Sequence, residues 1–213
     1  MHNPLRHLAL ILLLASLTSG CANQGGVAKG SSAKAEADSA KQELSKQRLM
    51  LSEGYSMLYK DASSLDLSEV ILYVKAESES MHEVVTAVAG FGGQLKKDLE
   101  RIAKDYPGVR IDLDPLPEME KRKRAAIAKD RARYFAPVVG RGGREYERTV
   151  LNGLVNGINH ERHLCQVMAE AEPDAGLRKF LLETEKHYGR LYDRVTILLE
   201  KEYFKDPNGR SKD

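Results

Sequence analysis

The chain has 213 residues, a formal net charge of +2 and 30% charged residues, with no tryptophan and four phenylalanines. This balance lacks the basic surplus that binds a phosphate backbone, so nucleic-acid-binding functions are set aside. The composition leans to helix rather than sheet, and two cysteines are too few for a disulfide-stapled fold.

Residues 1–20 have the pattern of an export signal. Arg6 precedes an apolar run from Leu8 to Leu17, and Thr18-Ser19-Gly20-Cys21 follows. The run is shorter than the ~20 residues a spanning helix needs, which disfavours an uncleaved anchor; an ordinary secretory signal with a stray cysteine is the other alternative. Small residues before a cysteine resemble the bacterial lipobox, whose usual leucine three places earlier is Thr18 here. That resemblance implies cleavage before Cys21, acylation of Cys21 and a membrane contact through its acyl chains. It implies a periplasm-facing lipoprotein of the cell envelope. Because Ala22-Asn23 lacks the aspartate that retains such proteins at the inner membrane, the outer membrane is favoured. Loss of Arg6 leaves 32 basic against 31 acidic residues, and only Cys165 stays free, so packing must hold the fold.

Residues 21–33 are small and polar and read as a flexible tether. Segment 34–60 turns helical, with Leu44, Leu51, Tyr55 and Leu58 on one face, and is expected to form an N-terminal helix or stalk. A bundle domain is expected over 66–205. Asp66 or Ser68 is the candidate cap of its first helix, whose stripe is Val70, Val74, Glu77, Met81, Val84, Val88, Phe91 and Leu95. Gly92-Gly93 should weaken or kink that helix; Leu99 and Ile102 continue the stripe to Tyr106, where Pro107-Gly108 ends it. Asp112, Asp114, Pro115 and Pro117 make an extended connection. A second helix, polar nearly all round, is predicted from Glu118 to Phe135.

The third helix, Arg144 to Ala171, carries Glu147, Leu151, Leu154, Ile158, Glu161, Cys165 and Met168 at spacings of three and four. The fourth, beginning at Pro173, repeats the pattern with Leu177, Leu181, Thr184, Tyr188, Leu191, Val195 and Leu198. A short turn makes these two antiparallel neighbours. No strand-like alternation occurs, so the expected fold is all-α: an antiparallel four-helix bundle with an additional N-terminal helix and a tether.

Glu77 and Glu161 each stand mid-stripe, where an unpaired carboxylate is costly and needs a proton, a base or a metal. His160 and His163 flank Glu161, and Glu183 and His187 are expected to face them from the fourth helix. These six residues are the candidate metal ligands, suited to iron, zinc or manganese. The reading favoured over metal is that Glu161 pairs with a neighbouring arginine and the histidines are solvated at the rim. One Glu-x-x-His pair, Glu79 and His82, lies on the same helix as Glu77, with no second pair elsewhere. Lys121-Arg122-Lys123-Arg124, with Lys129, Arg131 and Arg133, reads first as a solvated face and second as a contact for anionic head groups or cell-wall polymer. Cys165 reads as a packed hydrophobe rather than a nucleophile.

The run Asp98-Leu99-Glu100-Arg101-Ile102-Ala103-Lys104 leading into Pro107-Gly108-Val109, then Asn159-His160, and Leu177-Arg178-Lys179-Phe180 with His187, resembles the ferritin-like helical domain of an uncharacterised family of bacterial envelope proteins. The resemblance covers about Asp66 to Tyr203 and implies a ferritin-like bundle. Where that family often has Asp-His, this chain has Gly90-Phe91 and Asn159-His160. The expected function is a lipid-anchored envelope protein with a structural or interaction role, no catalysis and no cofactor, whose partner is an envelope protein or the cell wall. A ferritin-like metal-binding or oxidase protein is the alternative, and a module binding cell-wall polymer or anionic head groups is the second.

Overall fold

The computed structural model describes residues 29–68, 78–134 and 143–204. They form five α-helices: α1 (Lys29–Asp66), α2 (Glu79–Asp105), α3 (Glu118–Tyr134), α4 (Gly143–Ala171) and α5 (Ala175–Leu198), the last running into a π-helical turn, Leu199–Phe204. Among the described residues there is no strand, and the fold is all-α. None of these helices is long and apolar enough to cross a membrane. Residues 1–40 and 41–213 are separate units; all the packing below belongs to the second.

Local chemistry fixes the helix ends. Ser78 caps α2, its hydroxyl accepting the Met81 N–H at 3.3 Å. The cap expected at Asp66 or Ser68 is therefore misplaced: Asp66 is the last residue of α1, while Val70, Val74 and Glu77 lie outside the described residues. Asp174 caps α5 by accepting the Leu177 N–H at 2.9 Å, so Pro173 precedes the helix rather than opening it. Gly143 begins α4 at φ 65°, a left-handed conformation open to glycine at no steric cost.

Four helices contribute to one apolar core. Leu51, Tyr55, Leu58 and Ala62 of α1 pack with Met81, Val84, Val88, Leu95, Leu99 and Ile102 of α2. Val150, Leu151, Leu154, Ile158, Cys165 and Met168 of α4 and Leu177, Leu181, Tyr188, Leu191, Val195 and Leu198 of α5 complete it. The stripes of three- and four-residue spacing are thus the buried faces. Two expectations change. Leu44, placed on the buried face of the N-terminal segment, is 61% exposed. The rest of that face is core, so the second half of α1 is an integral helix, and no element boundary falls between 60 and 66.

Contacts between helices run in opposite senses along each neighbouring pair. A Cβ on Gly54 would touch Met168, and seven residues later Asp61 meets Glu161 seven residues earlier, so α1 and α4 oppose each other. On α1 and α2, Tyr59 donates to Glu100 at 2.8 Å and Gly92 lies against Leu65. On α2 and α5, Glu83 pairs with Arg194 at 3.6 Å and Phe91 stacks on His187. On α4 and α5, Arg162 lies over Tyr192 and Tyr203 donates to Glu147 at 2.6 Å.

Gly92 and Gly93 do not break α2, which continues through both. A Cβ at position 92 would sit 2.7 Å from Leu65 Cβ and 2.8 Å from the Ala62 carbonyl oxygen and the Asp66 nitrogen. The glycine therefore lets two helix backbones touch, and the packing gained there offsets its poor helix propensity.

The connection 106–117 is pinned along α1 by two buried serines. Ser56 Oγ donates to the Ser52 carbonyl at 2.8 Å and accepts the Leu113 N–H at 3.1 Å, and Ser52 Oγ accepts the Arg110 N–H at 3.3 Å. Spaced four apart, the two hydroxyls face one extended strip of backbone and satisfy polar groups that burial would otherwise orphan. The strip delivers the chain to α3. There Asp114 bridges Lys60 at 2.9 Å and Lys121 at 2.7 Å.

Candidate functional site

The most unusual chemistry lies where α1 and α4 cross. The antiparallel register that sets Gly54 beside Met168 also brings Asp61 of α1 near enough to Glu161 for its charge to act on it. Glu161 is buried, and its Oε2 has no hydrogen-bond partner among the described residues. From α5 comes Tyr188, fully buried, whose hydroxyl also lacks a hydrogen-bond partner among the described residues. From α2 comes Phe91, which meets Tyr188 edge-on at 4.9 Å and stacks on His187 at 4.0 Å. Cys165, one turn along α4 from Glu161, is buried and free.

Electrostatics follows from that enclosure. Burial, then the charge and hydrogen bond of Asp61, push the Glu161 carboxyl from its ordinary 4.5 up to about 9, with Arg124 of α3 opposing. Burial and the nearby Glu161 also raise Tyr188 and Cys165 above their ordinary ranges. Cys165 therefore stays a thiol rather than the thiolate a nucleophile needs. His187 is lowered by burial and by Arg190, which favours the neutral ring against Phe91.

The sequence-predicted ligands do not gather. Of the five that lie among the described residues, Glu161 alone is buried in the core. His160 and His163 are exposed on α4, with His163 lying 3.3 Å from both Arg162 and Gln166. Glu183 is exposed, 3.8 Å from Lys179. His187 is half-buried against Phe91, and Glu77 and Cys21 lie outside the described residues. At this level α4 faces α5 through Arg162, which lies over Tyr192, while His160 and His163 are exposed and do not face Glu183 and His187. Among the described residues no three His, Cys, Asp or Glu side chains are placed to hold a metal ion.

Two shallow grooves flank the bundle. One, about 480 Å³ between α2 and α5, is lined by Phe91, Phe180, Thr184 and His187 among others. The other, about 660 Å³ on the outer face of α4 and α5, includes Gln166, Arg178, Leu182 and Glu185. Neither is lined by Asp61 or Glu161.

The basic run of α3 is largely engaged in local ion pairs. Arg122 reaches Glu118, Lys123 and Arg124 both reach Glu120, and Lys121 reaches Asp114. Exposed pairs of this kind contribute roughly 0–1 kcal/mol each, so they describe a solvated helix.

A second buried carboxylate carries no mark in the sequence. Glu172, fully buried in the turn between α4 and α5, accepts from Arg48 at 3.0 and 3.2 Å, from the Tyr55 hydroxyl at 3.1 Å and from the Asp174 N–H at 3.1 Å. Burial, then the charge of Glu172, hold the Tyr55 hydroxyl far above its ordinary range, so it remains a donor. This carboxylate is fully satisfied and ties α1 to the turn; Glu161 is not.

No protein-family model, curated protein or solved structure matches this chain.

Proposed function

We propose that the protein is a lipid-anchored component of the bacterial cell envelope with a structural or interaction role rather than a catalytic one. The carrying observation is the apolar run Leu8 to Leu17 followed by Thr18-Ser19-Gly20-Cys21, the pattern of an acylated lipoprotein. Cys21 holds the chain at the membrane surface, periplasm-facing and at the outer membrane, and the small polar residues between Cys21 and α1, which begins at Lys29 and so shortens the expected tether, let the helical domain stand off it. The partner is an envelope protein or cell-wall polymer.

The helix order supports a ferritin-like bundle as the domain. Two antiparallel pairs, α1 with α2 and α4 with α5, are joined by one long connection carrying α3, and ferritin-like folds have one such crossover. Replacing Cys21 by Ala is expected to move the protein from the membrane fraction to the soluble fraction, because each buried methylene contributes ~0.8 kcal/mol and all the acyl chains are lost together. Retention of the variant in membranes would instead support an uncleaved anchor.

A metal-binding or oxidase role of the ferritin type is favoured by one observation, the buried carboxyl group of Glu161 on α4 with half-buried Asp61 of α1 acting on it. Ferritin-like metal centres add a Glu-x-x-His pair from each of the other two helices. At this level α2 supplies Phe91 and α5 supplies Tyr188. The donor set therefore does not fit a two-metal centre. Iron, zinc or manganese in stoichiometric amount in protein purified without chelators would favour this second role over the first.

A further inference from the structure

Helix α3 carries seven basic and three acidic residues in a chain whose total charge is only +2. Each residue turns a helix by about 100°, so Arg122, Lys129 and Arg133, at spacings of seven and four, fall within about 40° of one another. All three are exposed. Arg124, which acts on buried Glu161, lies about 140–180° around the helix from each of them. Glu120 and Lys121 are half-buried, and Lys121 is held by Asp114 at 2.7 Å. The body of the domain therefore lies on the Arg124 side, and the three cations form a stripe that points away from it.

This stripe is less neutralised than the run Lys121–Arg124. Arg122 meets Glu118 at 3.2 Å, an exposed pair that solvent screens, while Lys129 and Arg133 have no ion-pair partner among the described residues. Asp130 is turned about 60–100° from all three. Ala125 and Ala126 flank the stripe, so no bulky side chain shields it.

We infer that Arg122, Lys129 and Arg133 bind an extended anionic polymer of the cell wall through its carboxylate groups. The inference rests on the envelope reading above and names which of its partners α3 takes. From Arg122 to Arg133 the stripe runs ~16 Å at 1.5 Å per residue, so one extended polyanion meets all three cations, and the two guanidinium forks match carboxylates in geometry. A membrane surface fits less well. Met119 and Ile127, the exposed large apolar residues of α3, stand eight residues apart and make no continuous face to enter a bilayer. Three cations also fall short of the ~4–8 clustered basic residues that hold a segment on anionic lipid.

The test is sedimentation of the full-length protein, in detergent, with purified protein-free peptidoglycan sacculi. Wild type is expected to pellet with the sacculi at about 0.05 M salt and to be released as salt rises to about 0.5 M. Arg122→Gln with Lys129→Gln and Arg133→Gln should bind on the order of 10-fold more weakly. Lys46→Gln with Lys179→Gln and Lys186→Gln removes the same charge from exposed sites on α1 and α5 and should bind as wild type. Failure of wild type to pellet, equal binding by the stripe variant, or equal losses in the two triple variants would each overturn the inference. So would release of wild type by phosphatidylglycerol added to the micelles but not by phosphatidylcholine, because the stripe would then be a lipid site. Should the stripe variant fail to fold, carbodiimide coupling of wild type to the sacculi decides: coupling through Lys129 supports the inference, and coupling only through other lysines overturns it. Detergent is present throughout, so the result does not depend on Cys21, and membrane retention of Cys21→Ala would fail the anchor alone.

Discussion

Arg48→Ala is expected to destabilise the domain by about 3 kcal/mol, read as a lower urea midpoint at unchanged slope. The cause is what it leaves behind. Glu172 is fully buried and keeps the Tyr55 hydroxyl and the Asp174 N–H, but its carboxylate loses the only cation that contacts it among the described residues. Removing one partner of a buried pair typically costs ~3–5 kcal/mol. The lower end applies because the Arg48 side chain is 30% exposed and water partly replaces it. Replacing both groups together, Arg48→Met with Glu172→Leu, removes the stranded charge and should cost less than Arg48→Ala alone. If the double variant were the weaker of the two, the clasp between α1 and the α4–α5 turn would owe its strength to the pair itself rather than to avoidance of an orphaned carboxylate.

The apolar stripes were legible because burial on a helix imposes a period that any window of the sequence displays. Met81, Val84 and Val88, or Leu177, Leu181 and Tyr188, need no knowledge of their partners to be recognised. What stayed hidden depends on pairings distant in sequence. Glu172 and Arg48 are 124 positions apart, and nothing near Glu172 marks it as buried. Ser52 and Ser56 read as polar surface until the extended strip at 108–113 is laid against them.

Asp61 left a local trace. It stands three residues after Leu58 and four before Leu65, an acid in a stripe like Glu161, but ending that helix near Tyr59 excluded it. The histidines show the converse error. His160 and His163 are neighbours of Glu161 along the chain, yet one residue turns a helix by about 100° and two by about 200°, so both point away from the core that Glu161 faces. His187 likewise stands beside the residue that enters the core, Tyr188.

Leu181→Ala should produce a loss of about 2–5 kcal/mol, while the same change one residue on, at Leu182, should stay within about 0.5 kcal/mol. Leu181 is fully buried on the α5 stripe and Leu182 is 43% exposed, so the pair separates burial from helix propensity, which the two substitutions alter equally. The cost at Leu181 combines lost transfer free energy with the cavity left behind. Helices α1, α2 and α4 supply the rest of this core, and Gly92 already brings α1 and α2 into backbone contact, which limits how far the walls can collapse into that cavity. For a domain of this size, each kcal/mol lowers the thermal midpoint by about 2–4 °C, so Leu181→Ala should fall by on the order of 10 °C and Leu182→Ala by a degree or two. Equal shifts for the two would mean that α5 is rotated by one residue from the register that buries Leu181. That rotation would also turn Tyr188 out of the site beside Glu161, so a single pair of melting curves tests both the packing of α5 and the enclosure that raises the carboxyl of Glu161.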